Sequence, residues 1–85
     1  MYQLVFTRSA TKSLRRMQRD IAKKIRKKLD ALVRDPYSDK HKVRKLKGRA
    51  GFRLRAGDWR VIYAINNEKI EILVVKIAVR GEICK

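Results

Sequence analysis

The sequence is short of several things, and each shortage removes a class of function. Only one cysteine occurs in 85 residues, Cys84. No disulfide can therefore form within the chain, which fits a reducing cytoplasm. There is one histidine, His41, and no set of His, Cys, Asp or Glu at metal-ligand spacing, which argues against a metal site or any other cofactor. A nucleophilic Cys-His arrangement would need His41 to pair with the distant Cys84, and nothing in the sequence points to that. No glycine-rich phosphate loop is present; Gly48 and Gly51, three apart, read as turn residues. The longest apolar runs, Val61–Ile65 and Ile72–Val75, are too short for a signal peptide or a membrane span.

Acidic residues are also scarce. Eight Asp and Glu stand against 24 Lys and Arg, a formal net charge of +16. Such an excess repels itself in the folded state, and it points to a polyanionic partner, nucleic acid or a very acidic protein. Length and the 45% hydrophobic content suit a single domain spanning 1–85 with one modest core. There is no internal repeat and no low-complexity tail.

The apolar pattern predicts the elements. Tyr2–Phe6 is a β-prone run and reads as a first strand. Ser9 is placed to cap a short helix over roughly 9–17, with Ala10, Leu14 and Met17 on one face. Asp20 is placed to cap a second helix, in which Ile21, Ile25, Leu29 and Leu32 recur at spacings of four, four and three. Asp35-Pro36 stops it, because a residue before proline avoids helical angles. Lys12, Lys23 and Lys24 lie near helix N-termini, and Lys23/Lys27 and Lys24/Lys28 are like-charge pairs one turn apart; both placements are mildly destabilising, which leaves two readings, a plain solvated face for most of these residues or a positive field that is useful.

Residues 37–50 read as a basic connection that Val43 and Leu46 tack to the core. Three strands follow, Gly51–Arg55, Trp59–Ile65 and Ile70–Val79, joined as hairpins. The last is apolar on both faces for much of its length and should be interior to the sheet. The expected fold is an α+β domain in the order β-α-α-β-β-β, with an N-terminal helical hairpin on a curved, mainly antiparallel sheet.

Within that frame the chemistry-bearing residues are cations. Arg53 and Arg55 alternate with Phe52 and Leu54, so they share the face away from the core, and Arg60 lies across the hairpin. Lys45 and Lys47 precede the strands and Arg80 ends the last one. Guanidinium groups bind phosphate oxygens in pairs, and fixed positive charge stabilises the phosphorane that develops when a phosphodiester is cut. Trp59 is expected in the core, with base stacking as its alternative role.

The run "KLKG…GFRLRAGDWRVIYAI" followed by "VVKIAVRGEI" resembles the RelE family of toxins, in the RelE/ParE superfamily of toxin–antitoxin modules. The resemblance covers nearly the whole chain and is most specific from Lys45 to Ile65. It implies a RelE-like fold akin to small microbial ribonucleases. It implies a ribosome-dependent endoribonuclease that cuts mRNA by 2′-hydroxyl attack and so inhibits translation, with a cognate antitoxin, part acidic, as partner alongside ribosome and mRNA. By position, Arg53, Arg60 and Arg80 are its catalytic cations, and Lys45, Lys47 and Arg55 its RNA-binding residues, to which Trp59 adds if it stacks on a base. The family's C-terminal pattern is His-Arg-x-x-(Val/Ile)-Tyr, whereas this chain reads Val79-Arg80-Gly81-Glu82-Ile83-Cys84. Cys84 thus stands at the catalytic tyrosine position, and slow cleavage is expected. A ParE-like inhibitor of DNA gyrase and a non-cleaving RNA-binding module are the alternatives.

Overall fold

The computed structural model describes residues 1–38, 41, 43–46, 48 and 51–79. Strand β1 spans Gln3–Phe6, helix α1 Arg8–Arg16 and helix α2 Arg19–Arg34; strands β2 (Arg44–Lys45), β3 (Phe52–Ala56), β4 (Trp59–Asn66) and β5 (Glu71–Val79) follow. They form one five-stranded sheet in the order β1-β5-β4-β3-β2. Strand β1 runs parallel to β5, with Gln3 opposite Glu71 and Phe6 opposite Val74, and every other pairing is antiparallel. The α+β architecture and the interior place of the last strand are as the sequence predicts.

Local chemistry sets the boundaries and corrects several of the expected ones. Thr7, not Ser9, caps α1: its Oγ1 accepts the Ala10 N–H at 3.2 Å. The same hydroxyl donates to the Val75 carbonyl at 2.6 Å, and the Thr7 N–H reaches the Val74 carbonyl at 3.0 Å. One residue therefore ends the parallel pairing, starts the helix and ties both to β5. Asp20 lies in the first turn of α2 rather than at its cap; the cap is Gln18, which makes no side-chain cap bond. A carboxylate there still offsets the helix dipole. Met17 and Gln18, both extended, join the two helices, and α2 ends at Arg34, immediately before Asp35-Pro36.

The first strand begins one residue later than expected because the Tyr2 N–H bonds to the Val33 carbonyl instead of the sheet. Ile70 belongs to the turn before β5, at φ 54°, a left-handed angle unusual for a β-branched residue. The basic connection contains a strand that the sequence did not announce: Arg44 pairs with Arg53 and Lys45 with Phe52. Val43 does pack against the core, as expected.

Both helices cover one face of the sheet. The core there unites Ala10 with Ile25, Leu29, Leu32 and Val33 of α2, and with Leu54, Val61, Tyr63, Ile72, Val74 and Ile77 of the strands. Fully burying one leucine or isoleucine contributes about 1.5–3 kcal/mol, so this cluster is what fixes the helices on the sheet. Between Ile62 and Tyr63 the register with β5 slips: Ile62 faces Lys76, Tyr63 faces Val74, and Val75 is left over. Such a bulge bends the strand and restores the inward alternation beyond it. It is the reason β5 can send Ile72, Val74 and Ile77 to the core while Lys76 and Ala78 occupy the other face.

Candidate nucleic-acid interface

The helix-free face of the sheet carries the cations. Strands β3 and β4 turn at Gly57-Asp58, since Ala56 pairs with Trp59. Gly57 has φ 62°, the positive angle that a two-residue hairpin turn needs at its first central position. This tight turn places Arg55 directly opposite Arg60. Two residues along, Arg53 stands opposite Arg44 on one side and Ile62 on the other. At Gly51, where β3 is entered at φ 126°, an added Cβ would come 3.1 Å from the Tyr63 carbonyl oxygen and 3.2 Å from Leu46 Cδ1, so the close approach of β2 to the sheet requires glycine.

Two pairs of arginines opposed across strands make an arrangement that stability alone disfavours. What they form is a cleft of about 680 Å³, lined by Lys28, His41, Arg44, Arg53, Arg55, Gly57 and Arg60. Its size falls in the range of about 300–1,000 Å³ typical of ligand sites, but its lining is that of an anion site. Arg60 is half-buried, with its Nη1 enclosed, between Ile62 and Ala78 on the same face, whereas Arg44 and Arg55 are exposed. The cleft thus joins the half-buried guanidiniums of Arg53 and Arg60 to the exposed ones of Arg44 and Arg55.

The structure brings Arg53, Arg55 and Arg60 together, as the alternation in the sequence predicts. Arg44, Lys28 and His41 join them, although the sequence reading places none of the three with these arginines. Arg44 arrives through the short β2 pairing, and Lys28 through the helix face whose repeated like charges were the available signal. Lys45 faces away, beside a depression lined by Leu46, Gly48, Gly51, Phe52, Ala64 and Ile65. Trp59 is half-buried against the core, and with Ile21, Ile25, Ala56 and the stems of Lys24 and Lys28 it lines an apolar groove between α2 and the hairpin. Lys47, Arg80 and Cys84 lie outside the described residues.

Groups able to move a proton are few in the cleft. The Tyr63 hydroxyl is buried on the core face and meets no hydrogen-bond partner among the described residues; burial pushes its pKa up to about 12. Tyr63 stacks on Phe52 with ring centroids 5.5 Å apart, so it packs the sheet rather than serving the cleft. His41 differs: its Nε2 lies 2.7 Å from the Asp35 carbonyl oxygen, which ties the ring to the end of α2. No group of three His, Cys, Asp or Glu side chains that could hold a metal occurs among the described residues. No helix of the structure is long and apolar enough to cross a membrane.

Two helices packed on a five-stranded mixed open sheet match the solved structures of RelE toxins. The toxin in the crystal structure of the archaeal RelE–RelB complex from Pyrococcus horikoshii superposes with a TM-score of 0.81 at 28% identity, covering 94% of this chain and 96% of that one. The isolated Escherichia coli RelE toxin gives 0.78 at 25% identity over 99% of this chain and 92% of that one. The YoeB/ParE toxin from Agrobacterium tumefaciens shares the fold at a TM-score of 0.79, with 20% identity over 92% of this chain and 98% of that one. No curated protein matches. The family model described as the ParE toxin of the type II toxin–antitoxin system parDE matches residues 4–83. The chain belongs to that family, and is a toxin of the RelE/ParE superfamily.

Proposed function

We propose that this toxin is a ribosome-dependent mRNA endoribonuclease held in check by a cognate antitoxin. The observation that carries the reading is the cleft itself: Arg44, Arg53, Arg55, Arg60 and Lys28 converge on one concavity although cross-strand arginine pairs cost stability. In this role Arg53 and Arg55 hold the phosphates flanking the scissile bond, and Arg60, whose Nη1 is enclosed, stabilises the charge that grows on the non-bridging oxygens as the 2′-hydroxyl attacks. By the resemblance, Arg80 belongs to the same cationic set. The +16 charge suits both ribosomal RNA and an antitoxin with an acidic segment.

A second reading, inhibition of DNA gyrase without cleavage, is favoured by the ParE description of the matching family and by Cys84 at the tyrosine position. Two assays on the same purified chain separate them. Primer extension on programmed ribosomes should reveal mRNA cuts that require the ribosome, with gyrase supercoiling left intact. Loss of supercoiling with uncut mRNA would replace the first reading by the second.

A further inference from the structure

Cations bind and stabilise a phosphodiester, but attack by a 2′-hydroxyl also requires that its proton go somewhere. Arginine remains protonated in proteins, and a lysine ammonium has no acceptor site. The Tyr63 hydroxyl lies on the opposite face of the sheet. Asp58 lines the Trp59 groove rather than the arginine cleft. Among the described residues that line the cleft, His41 is the one whose side chain carries a lone pair able to take a proton.

Its orientation is set by the backbone. A carbonyl oxygen only accepts, so the 2.7 Å contact with Asp35 assigns the ring hydrogen to Nε2. In the neutral imidazole Nδ1 is then the acceptor. The anchoring carbonyl is itself held. Asp35 is the C-cap of α2, with its N–H directed to the Ala31 carbonyl, and its oxygen also accepts the Ser38 N–H at 3.3 Å. Pro36 follows and is buried. A base held through one nitrogen and accepting at the other is the usual arrangement for proton abstraction. The charged groups that share the cleft with His41 are Lys28 of α2, Arg44 of β2, Arg53 and Arg55 of β3, and Arg60 of β4.

We infer that His41 Nδ1 takes the proton from the attacking 2′-hydroxyl, so that this chain carries its base in the segment before β2. The inference rests on the endoribonuclease reading. As Nδ1 gains the proton, the 2′-oxygen forms its bond to phosphorus and the bond from phosphorus to the 5′-oxygen breaks. The 5′-oxygen takes a proton from water, and the imidazolium later returns its own to solvent. The products are a 2′,3′-cyclic phosphate and a 5′-hydroxyl end, with no redox change and no co-reactant beyond water.

The test uses the full chain on programmed ribosomes under single-turnover conditions. His41→Gln keeps a polar side chain but supplies no base, and should slow cleavage by about 10²–10⁴, the usual contribution of a general base, while leaving affinity for ribosomes carrying a 2′-O-methyl mRNA within about twofold. His41→Ala should be slowed equally and partly rescued by added imidazole, whereas Arg60→Ala should not respond to imidazole. Nitrogen-15 shifts of the His41 ring in the free parent should report the Nε2–H tautomer, a readout independent of cleavage and of how either variant folds. A folded His41→Gln variant that cuts as fast as the parent, or a ring found as the Nδ1–H tautomer, overturns the inference and leaves the endoribonuclease reading standing. A parent that cuts no mRNA overturns both.

Discussion

Replacing Arg55 by glutamine should make the protein more stable and a weaker binder at once. Arg55 is exposed on β3 and directly faces Arg60 on β4. A like-charge pair at that spacing costs about 0.2–1 kcal/mol, and glutamine removes the repulsion while retaining part of the stem. For a domain of 60–100 residues each kcal/mol moves Tm by about 4–8 °C, so the variant should melt about 1–8 °C higher. The gain is electrostatic and must fade with salt: a Debye length of about 10 Å at 0.1 M falls to about 3 Å at 1 M, shorter than the separation of opposed side chains. Binding should change in the other direction. Each phosphate contact to a single strand contributes about 0.7 to the slope of log affinity against log salt, so one lost contact should lower the slope by about that amount. Differential scanning fluorimetry at low and high salt, with anisotropy of a fluorescent RNA in the same buffers, measures both. A variant that melts lower than the parent at low salt, or that keeps the parent's salt slope, would refute the idea that the opposed arginines are kept for an anionic partner at the expense of the fold.

Arg60→Ala should reduce single-turnover mRNA cleavage by about a hundredfold or more, as expected for one preorganised stabilising group, with a far-UV circular dichroism spectrum like the parent's. Stability should fall as pH rises from about 10 to 12, because the unfolded chain ionises Tyr63 at the ordinary pKa of 10.0 while burial holds the folded one at about 12. Tyr63→Phe should remove that alkaline decline in chemical denaturation and should not destabilise at neutral pH, since the buried hydroxyl lacks a partner among the described residues. Thr7→Ala should cost about 0.5–2 kcal/mol by the same assay; a cost below that range would mean the cap and the tie to Val75 contribute less than their geometry suggests.

How far the sequence reveals these features depends on whether each is local. Helix α2 is legible because Ile25, Leu29 and Leu32 repeat at helical spacing and Pro36 marks its end. The placement of Arg53, Arg55 and Arg60 on one face follows from strict alternation with Phe52, Leu54 and the neighbours of Trp59. Strand β2 is illegible because it has two residues, both basic, and forms only through register with Phe52 and Arg53. His41 gave no signal: its place depends on a carbonyl six residues earlier at a helix end. The bulge at Val75 is likewise a tertiary outcome, since nothing in Leu73-Val74-Val75-Lys76 indicates which residue is left over. The Thr7 cap was missed because Ser9 is the more obvious cap by composition, while Thr7 wins by being the residue where the sheet pairing stops.

The pairing of the first strand with the last has a consequence for synthesis. β1 has its sheet partner 68 residues away, Gln3 against Glu71, and α1 lies against β5 as well. Closing so long a loop brings no return until the distant strand exists. During translation the N-terminal strand and α1 therefore lack the surface on which they fold, and the arginine hairpin is made before the chain can form a finished toxin. Chains arrested before residue 71 should remain protease-sensitive, and resistance should appear only once β5 has cleared the ribosome. A compact arrested chain would show that the hairpin and α2 fold without the first strand. On this topology the toxin cannot mature until its last strand has been made.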